Sequence, residues 1–263
     1  INEYVKWLEN NRSANTAERF LFTKNKFLQI VDSSRQLRSV RTKDMDTFIE
    51  FCRRKGNGPI TINIEIRNMK AAFNKAVKWD YIKENPFKGY SQLKYHKKLP
   101  KFLTIEQINK VFDVIGNNRK YRLMFTLFIY TGGRRGEVQR LQWPDIKDGL
   151  VWFRRTKTYE PRAIPITDNL QKILSEYGRG VGRLFDITLD QITHRIKWYL
   201  RKAGINDLRL HDLRHTFASH LRKSGVSLDR IKELLGHTSL ATTMIYAHLD
   251  KQDLKEAIRK LPY

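Results

Sequence analysis

Leu123-Met124-Phe125-Thr126-Leu127-Phe128-Ile129-Tyr130 runs directly into Thr131-Gly132-Gly133-Arg134-Arg135-Gly136-Glu137. The apolar run is broken only by Thr126 and is far too short to span a bilayer. It reads as a rigid buried helix. Two glycines then stop the helix and let the backbone come close to a ligand. Arg134 follows on the turn, and Glu137 can accept hydrogen bonds and orient a neighbour. Taken alone, the segment is a helix corner with surface arginines, and its meaning depends on what surrounds it.

Working outward, the sequence downstream is mostly helical with one β interruption. Leu150-Val151-Trp152-Phe153 and Ala163-Ile164-Pro165-Ile166 are strand-like, joined by a turn that carries Lys157 and Tyr159-Glu160-Pro161-Arg162. Helices are expected near 168–177, 190–202, 211–224, 228–235, 239–248 and 251–260. Upstream, Thr104-Ile105-Glu106-Gln107 reads as a capping box. Before it, Lys88, Lys94, Lys97, Lys98 and Lys101, with Gly89 and Pro100, form a basic stretch poor in helix signals. The first 90 residues carry helical periodicity. Tyr4, Val5 and Leu8 open it; Thr16 can cap a second helix with Phe20, Phe27, Leu28 and Val31. Thr42 can cap a third with Met45, Phe48, Ile49 and Cys52, and Ile62, Ile66, Met69, Phe73 and Val77 mark a fourth. The expected fold is mainly α with a small β-sheet: a helical bundle over 1–90, a basic linker over 91–101, and a second domain over 102–263 ending in a helix.

The 263 residues include 51 Lys and Arg against 27 Asp and Glu, a formal charge of +24. At 40% hydrophobic residues a packed core is attainable, and global disorder is excluded. The single cysteine, Cys52, excludes a disulfide scaffold or a cysteine-based zinc cluster. Both halves are basic: residues 1–98 hold 21 basic and 10 acidic side chains, residues 99–263 hold 30 and 17. A long polyanion touched by both halves, nucleic acid above all, is the natural partner. The chain reads as soluble and intracellular, without membrane partner. Because it begins at Ile1 rather than Met, a further domain ahead of it is left open.

Two more clusters bear on chemistry. In His211-Asp212-Leu213-Arg214-His215, positions 211, 214 and 215 share one helical face, beside an apolar stripe of Leu210, Leu213, Phe217 and Leu221. His-x3-His is zinc spacing, but the fixed charge of Arg214 argues against a metal there. An anion fits better, with Arg214 able to bind phosphate bidentately and protonated imidazoles adding donors. In Leu234-Leu235-Gly236-His237, Gly236 reads as a helix stop. Tyr246 follows in Thr242-Thr243-Met244-Ile245-Tyr246-Ala247-His248 and by local spacing is an ordinary core tyrosine.

Together and in this order the clusters resemble the tyrosine recombinases, the phage-integrase and Xer-type site-specific recombinases. The resemblance rests on Thr-Gly-x-Arg-x-x-Glu at 131–137, Lys157 in a hairpin ahead of Ala-Ile-Pro, His-x-Leu-Arg-His at 211–215, Leu-Gly-His at 235–237, and Tyr246 nine residues after His237. It covers the second half; the helical first half fits the family's SAM-like core-binding domain. Gly133 departs from the apolar residue the family often carries, a change expected to loosen the turn that places Arg134.

The resemblance implies a catalytic domain that cuts and rejoins DNA through a covalent 3′-phosphotyrosine, without ATP, metal or other cofactor. It implies Tyr246 as nucleophile, Arg134 and Arg214 on the non-bridging oxygens, and His211 and His237 hydrogen bonding there. Lys157 would be the acid for the 5′-oxygen, in a hairpin crowded by Arg154 and Arg155, with Glu137 supporting and His215 buttressing the site and available for proton transfer. It also implies double-stranded DNA held between two domains, homotetramers on paired sites, and a role in a mobile genetic element, in the cytoplasm or that of a viral host. The Leu254, Ala257, Ile258 and Leu261 stripe would dock on a neighbouring protomer, and some phage integrases carry an arm-binding domain upstream. The alternatives are a type IB topoisomerase-like relaxing enzyme and a non-catalytic DNA-binding protein. A metal-dependent nuclease is weakest, since no carboxylate cluster accompanies the histidines.

Overall fold

The structure, a computed structural model, describes residues 1–95, 99–154, 161–249 and 259. Lys157 and the stripe Leu254, Ala257, Ile258 and Leu261 lie outside the described residues. The chain forms two compact units, Ile1–Lys97 and Lys98–Tyr263.

The first unit holds helices α1 (Asn2–Asn11), α2 (Ala14–Phe27), α3 (Thr42–Arg54) and α4 (Pro59–Lys78). The expected apolar stripes meet in one core: Met45, Phe48, Ile49 and Cys52 of α3 against Ile62, Ile66, Met69 and Phe73 of α4, with Phe27 and Phe87. Two expected caps are displaced. Ser13, not Thr16, is the N-cap of α2, and Arg41, not Thr42, precedes α3. Thr42 instead donates to the Pro86 carbonyl at 2.9 Å. α4 starts with Pro59 at a position where its missing N–H costs nothing. Glu65 sits fully buried on α4, accepting from Lys26 at 2.8 Å, Arg19 at 3.0 Å, and Thr23. A buried carboxylate is tolerable only when so paired, and this one ties α2 to α4.

The second unit begins with α5 (Ile105–Ile115), capped reciprocally by Thr104 and Gln107 as expected. α6 (Arg119–Thr131) is the central helix: Leu123, Met124, Phe125 and Leu127 are completely buried. It packs against both α8 (Asp168–Tyr177) and α10 (Asp212–Lys223). Between α7 (Arg135–Arg140) and α8 lies an antiparallel sheet in the order β1 (Ile146–Lys147), β2 (Leu150–Phe153), β3 (Arg162–Pro165). Val151 faces Ile164 across the β2–β3 pair, and Phe153 faces Arg162. Strand β1 was not expected. Its signal was the Asp148-Gly149 pair, both residues at positive φ (+55° and +71°), as a two-residue hairpin turn requires. Helices α9 (Leu189–Lys202), α11 (Leu228–Leu235) and α12 (Leu240–Thr243) complete the unit. Past α12 the chain tightens into 3₁₀ geometry over Met244–Leu249, rather than one α-helix through residue 248. No helix among the described residues is long and apolar enough to cross a membrane.

Candidate active site

The C-terminal end of α11 organises the site. The last carbonyls of a helix have no intrahelical partner and carry the negative end of its dipole. Gly236, left-handed at φ +61°, ends the helix and turns those carbonyls toward three arginines. Arg162 Nε donates to the Leu234 carbonyl at 2.9 Å, Arg214 donates to that of Leu235, and Arg134 Nη2 donates to that of Gly236 at 3.3 Å. Side chains from three distant stretches of sequence are thus gathered by consecutive peptide units.

Glu137 is the counterion. Its carboxylate takes Arg162 in a two-pronged bond at 3.1 and 2.7 Å, and Arg134 Nη1 at 2.8 Å. Its Oε2 also accepts the Arg134 backbone N–H at 2.8 Å, closing the first turn of α7. Burial would raise its pKa, but the paired guanidiniums outweigh it and bring the carboxyl down to about 2. One carboxylate against three guanidiniums leaves an excess of positive charge, which suits a phosphate.

Arg214 is only 3% exposed, buried within the site rather than spread on open surface. Besides Leu235, its Nη1 donates to the Gly132 carbonyl at 2.8 Å. Burial, with Arg134 and Arg162 close by, lowers its pKa, though a guanidinium still keeps its charge at neutral pH. Gly132 serves this contact. It is left-handed at φ +59°, and a Cβ there would lie 2.5 Å from Phe217 Cδ1. The turn after it is not loosened by Gly133: a Cβ there would fall 2.7 Å from Val138 Cγ2 and 3.0 Å from Phe153 Cζ. Its N–H donates to Thr131 Oγ1 at 3.2 Å, and neighbouring side chains pack against the bare backbone.

The histidines differ from the charged donors the sequence suggested. His237 is held by Thr243 Oγ1 at 2.9 Å; burial first, then Arg214 and Arg134, bring it down to about 4. His211 is lowered by burial and by Arg214, and His215 by burial and by His211. At neutral pH all three are neutral imidazoles, each with one N–H and one lone pair. Tyr246 is 1% exposed, and His215 Nδ1 lies 2.6 Å from its phenol oxygen. Burial pushes that phenol up to about 12 against the pull of Arg214.

Of the expected site residues, Arg134, Glu137, His211, Arg214, His215, His237 and Tyr246 are thus brought together, and Lys157 lies outside the described residues. Arg162 was missed as a site residue. Its signal was the strand period: Arg162 and Ile164 share one face of β3, and Ile164 is buried. Among the described residues no three His, Cys, Asp or Glu side chains form a metal-holding group.

Residues 101–253 match the profile of the phage integrase family, and residues 1–111 that of the phage integrase SAM-like domain. The chain is 31% identical to tyrosine recombinase XerA of Pyrococcus furiosus, over 99% of this chain and 93% of that protein. Its fold is similar to that of a Tn1549 transposon integrase in complex with transposon right end DNA, with a TM-score of 0.84, 20% identity, and coverage of 99% and 98%. It is also similar to a lambda integrase tetramer bound to a Holliday junction, with a TM-score of 0.74, 18% identity, and coverage of 90% and 76%.

Proposed function

The chain belongs to the phage integrase family of tyrosine recombinases, enzymes that cleave and rejoin DNA at specific sites, and on that premise we propose how its own residues carry the reaction. The observation that carries the reading is the convergence of Arg134 and Arg214 on the end of α11, in the same cluster as His237 and the phenol of Tyr246. Cleaving a phosphodiester without a metal takes a nucleophile, neutralisation of growing charge, and an acid for the leaving oxygen. Arg134 and Arg214 face the non-bridging oxygens; His211 and His237, neutral, each add one N–H. Tyr246 attacks phosphorus and becomes a 3′-phosphotyrosine. Lys157 protonates the departing 5′-oxygen, a role that rests on the family resemblance. The covalent bond conserves the energy of the broken one, so a 5′-hydroxyl from another strand can take the tyrosine's place.

The partner is duplex DNA, and the solved relatives on DNA, a tetramer among them, support assembly of several protomers on paired sites. The test is to incubate the protein with DNA of its host, isolate covalent protein–DNA adducts, and sequence what is attached to Tyr246. One recurring sequence is expected, and Tyr246→Phe binds it without forming adduct. Adduct from Tyr246→Phe at the wild-type level would place the nucleophile elsewhere.

A further inference from the structure

Arg162 enters none of the roles above, yet its guanidinium is tied into the site more fully than that of Arg134. Its side chain is 7% exposed against 24% for Arg134. Nε donates to the Leu234 carbonyl at 2.9 Å, and Nη1 and Nη2 take both oxygens of Glu137. Its Cζ lies 4.6 Å from the ring centroid of Phe153, the residue opposite it on β2. We propose that Arg162 is a positioning residue for cleavage: by engaging both oxygens of Glu137 it restricts Arg134 to a single side-chain bond with that carboxylate, so that the charge of Arg134 is left for the scissile phosphate. The inference rests on the reading of Arg134 as a phosphate-facing group.

Glu137 alone could not divide its charge in this way. A carboxylate and a guanidinium favour two parallel bonds. Glu137 stands three residues after Arg134 on the first turn of α7, with its Oε2 on the Arg134 backbone N–H. Left to themselves the two side chains would close into a two-pronged pair, drawing the guanidinium inward and cancelling its charge. With Arg162 across both oxygens, Arg134 keeps one bond, Nη1 to Oε1 at 2.8 Å, and its Nη2 turns to the Gly236 carbonyl at 3.3 Å. Those bonds use two of the five N–H groups of a guanidinium. Arg162 is itself held from several sides. Strand β3 fixes its backbone, Phe153 packs against its guanidinium, and the end of α11 takes its Nε. Gly236 leaves room for its stem, since a Cβ there would lie 3.1 Å from Cδ. A lysine could supply the charge but not the fork that spans a carboxylate. Arg214 cannot stand in, because its Nη atoms go to the carbonyls of Gly132 and Leu235.

The effect is confined to the chemical step. Affinity for a duplex is spread over many phosphate contacts, and a guanidinium buried against Glu137 contributes nothing to it. Negative charge gathers on the non-bridging oxygens only as phosphorus is attacked, and a guanidinium already placed there meets that charge without reorganising. A replacement at Arg162 therefore acts on the rate of adduct formation.

The experiment uses the full chain and a nicked duplex of the sequence recovered on wild-type Tyr246, with adduct formation followed in time. Arg162→Lys and Arg162→Met are expected to bind the duplex as wild type does and to form adduct on the order of 10²-fold more slowly, the cost of a group displaced by about 1 Å. Two comparisons separate positioning from support of the fold. In an Arg134→Ala background, Arg162→Lys has no further effect, because the group it places is gone. On a duplex whose scissile phosphate is a methylphosphonate, neutral because methyl replaces one non-bridging oxygen, the gap between Arg162→Lys and wild type closes, because less charge has to be met. Wild-type rates from Arg162→Lys on the ordinary duplex would overturn the proposal. So would equal slowing by Arg162→Lys with and without Arg134, or an undiminished gap on the methylphosphonate; either makes Arg162 a support of the fold. Should Arg162→Met not fold, Arg162→Lys decides, since it keeps a cation beside the buried carboxylate. If Arg134→Ala alone forms adduct at the wild-type rate, the reading of Arg134 fails instead, and the inference with it.

Discussion

Glu137 shows how one side chain can hold a charged site together. Its side chain is 2% exposed and that of Arg162 7%, so the pair is desolvated and each partner is costly without the other. Glu137→Gln keeps the shape and removes the charge. It is expected to destabilise the second unit by about 3–5 kcal/mol, the usual cost of breaking a buried pair from one side, read as a fall in the urea midpoint. DNA cleavage should fall with it, because Arg134 loses its anchor. His237 gives a pH signature at the same scale. Its folded pKa of about 4 lies below the ordinary 6.5. Between those values the unfolded chain binds a proton that the folded chain refuses, so stability falls as pH drops through that window. His237→Asn should make the dependence of the urea midpoint on pH shallower between pH 6.5 and 4; an unchanged slope would contradict the burial of the imidazole. Little of this was legible beforehand. The residues stood out by type and order, but the neutral state of the imidazoles and the pairing of Glu137 with Arg162 depend on burial and on contacts remote in sequence.

At the scale of elements, the end of α11 and the turn after α6 do the positioning. Gly132 must be left-handed and must lie against Phe217, so Gly132→Ala meets both backbone strain, about 1 kcal/mol, and a 2.5 Å clash. The expected outcome is a lower melting temperature together with slowed adduct formation, since the Gly132 carbonyl holds Arg214. Gly236→Ala carries the same left-handed strain, and a Cβ there would lie 3.1 Å from Arg162 Cδ. The helices around these turns were readable because amphipathic stripes and caps are local: α8 and α11 occupy the residues their periodicity indicates. The displaced caps of α2 and α3 show the limit. Thr16 and Thr42 have capping chemistry, but Ser13 stands nearer the true start of α2, and the hydroxyl of Thr42 is drawn to the Pro86 carbonyl.

For the whole molecule the decisive quantity is charge. Each half carries an excess of basic residues, 21 to 10 over 1–98 and 30 to 17 over 99–263. Binding to the recovered duplex should therefore weaken steeply with salt, with a slope of log K on log salt of about −0.9 per phosphate neutralised. Titrations at several salt concentrations measure it, and a flat response would remove the polyanion reading. Activity at the level of the adduct should also survive EDTA; loss in EDTA restored by added Mg²⁺ would point to metal-assisted cleavage.

The sequence by itself determined the class of fold, the helical pattern of both halves, the polyanionic partner, and the order of residues that marks the family. The first three follow from local periodicity and composition; the last is carried by the resemblance of the motifs to those of the family. Only the tertiary structure decided that Arg134, Arg162 and Arg214 share the carbonyls of one helix end, and that Glu137 is the counterion of two of them. Only there does Tyr246 meet His215 across 31 residues of chain. Contacts between residues so far apart are set by how elements pack, and no local pattern of residues encodes which carbonyl a buried guanidinium will find.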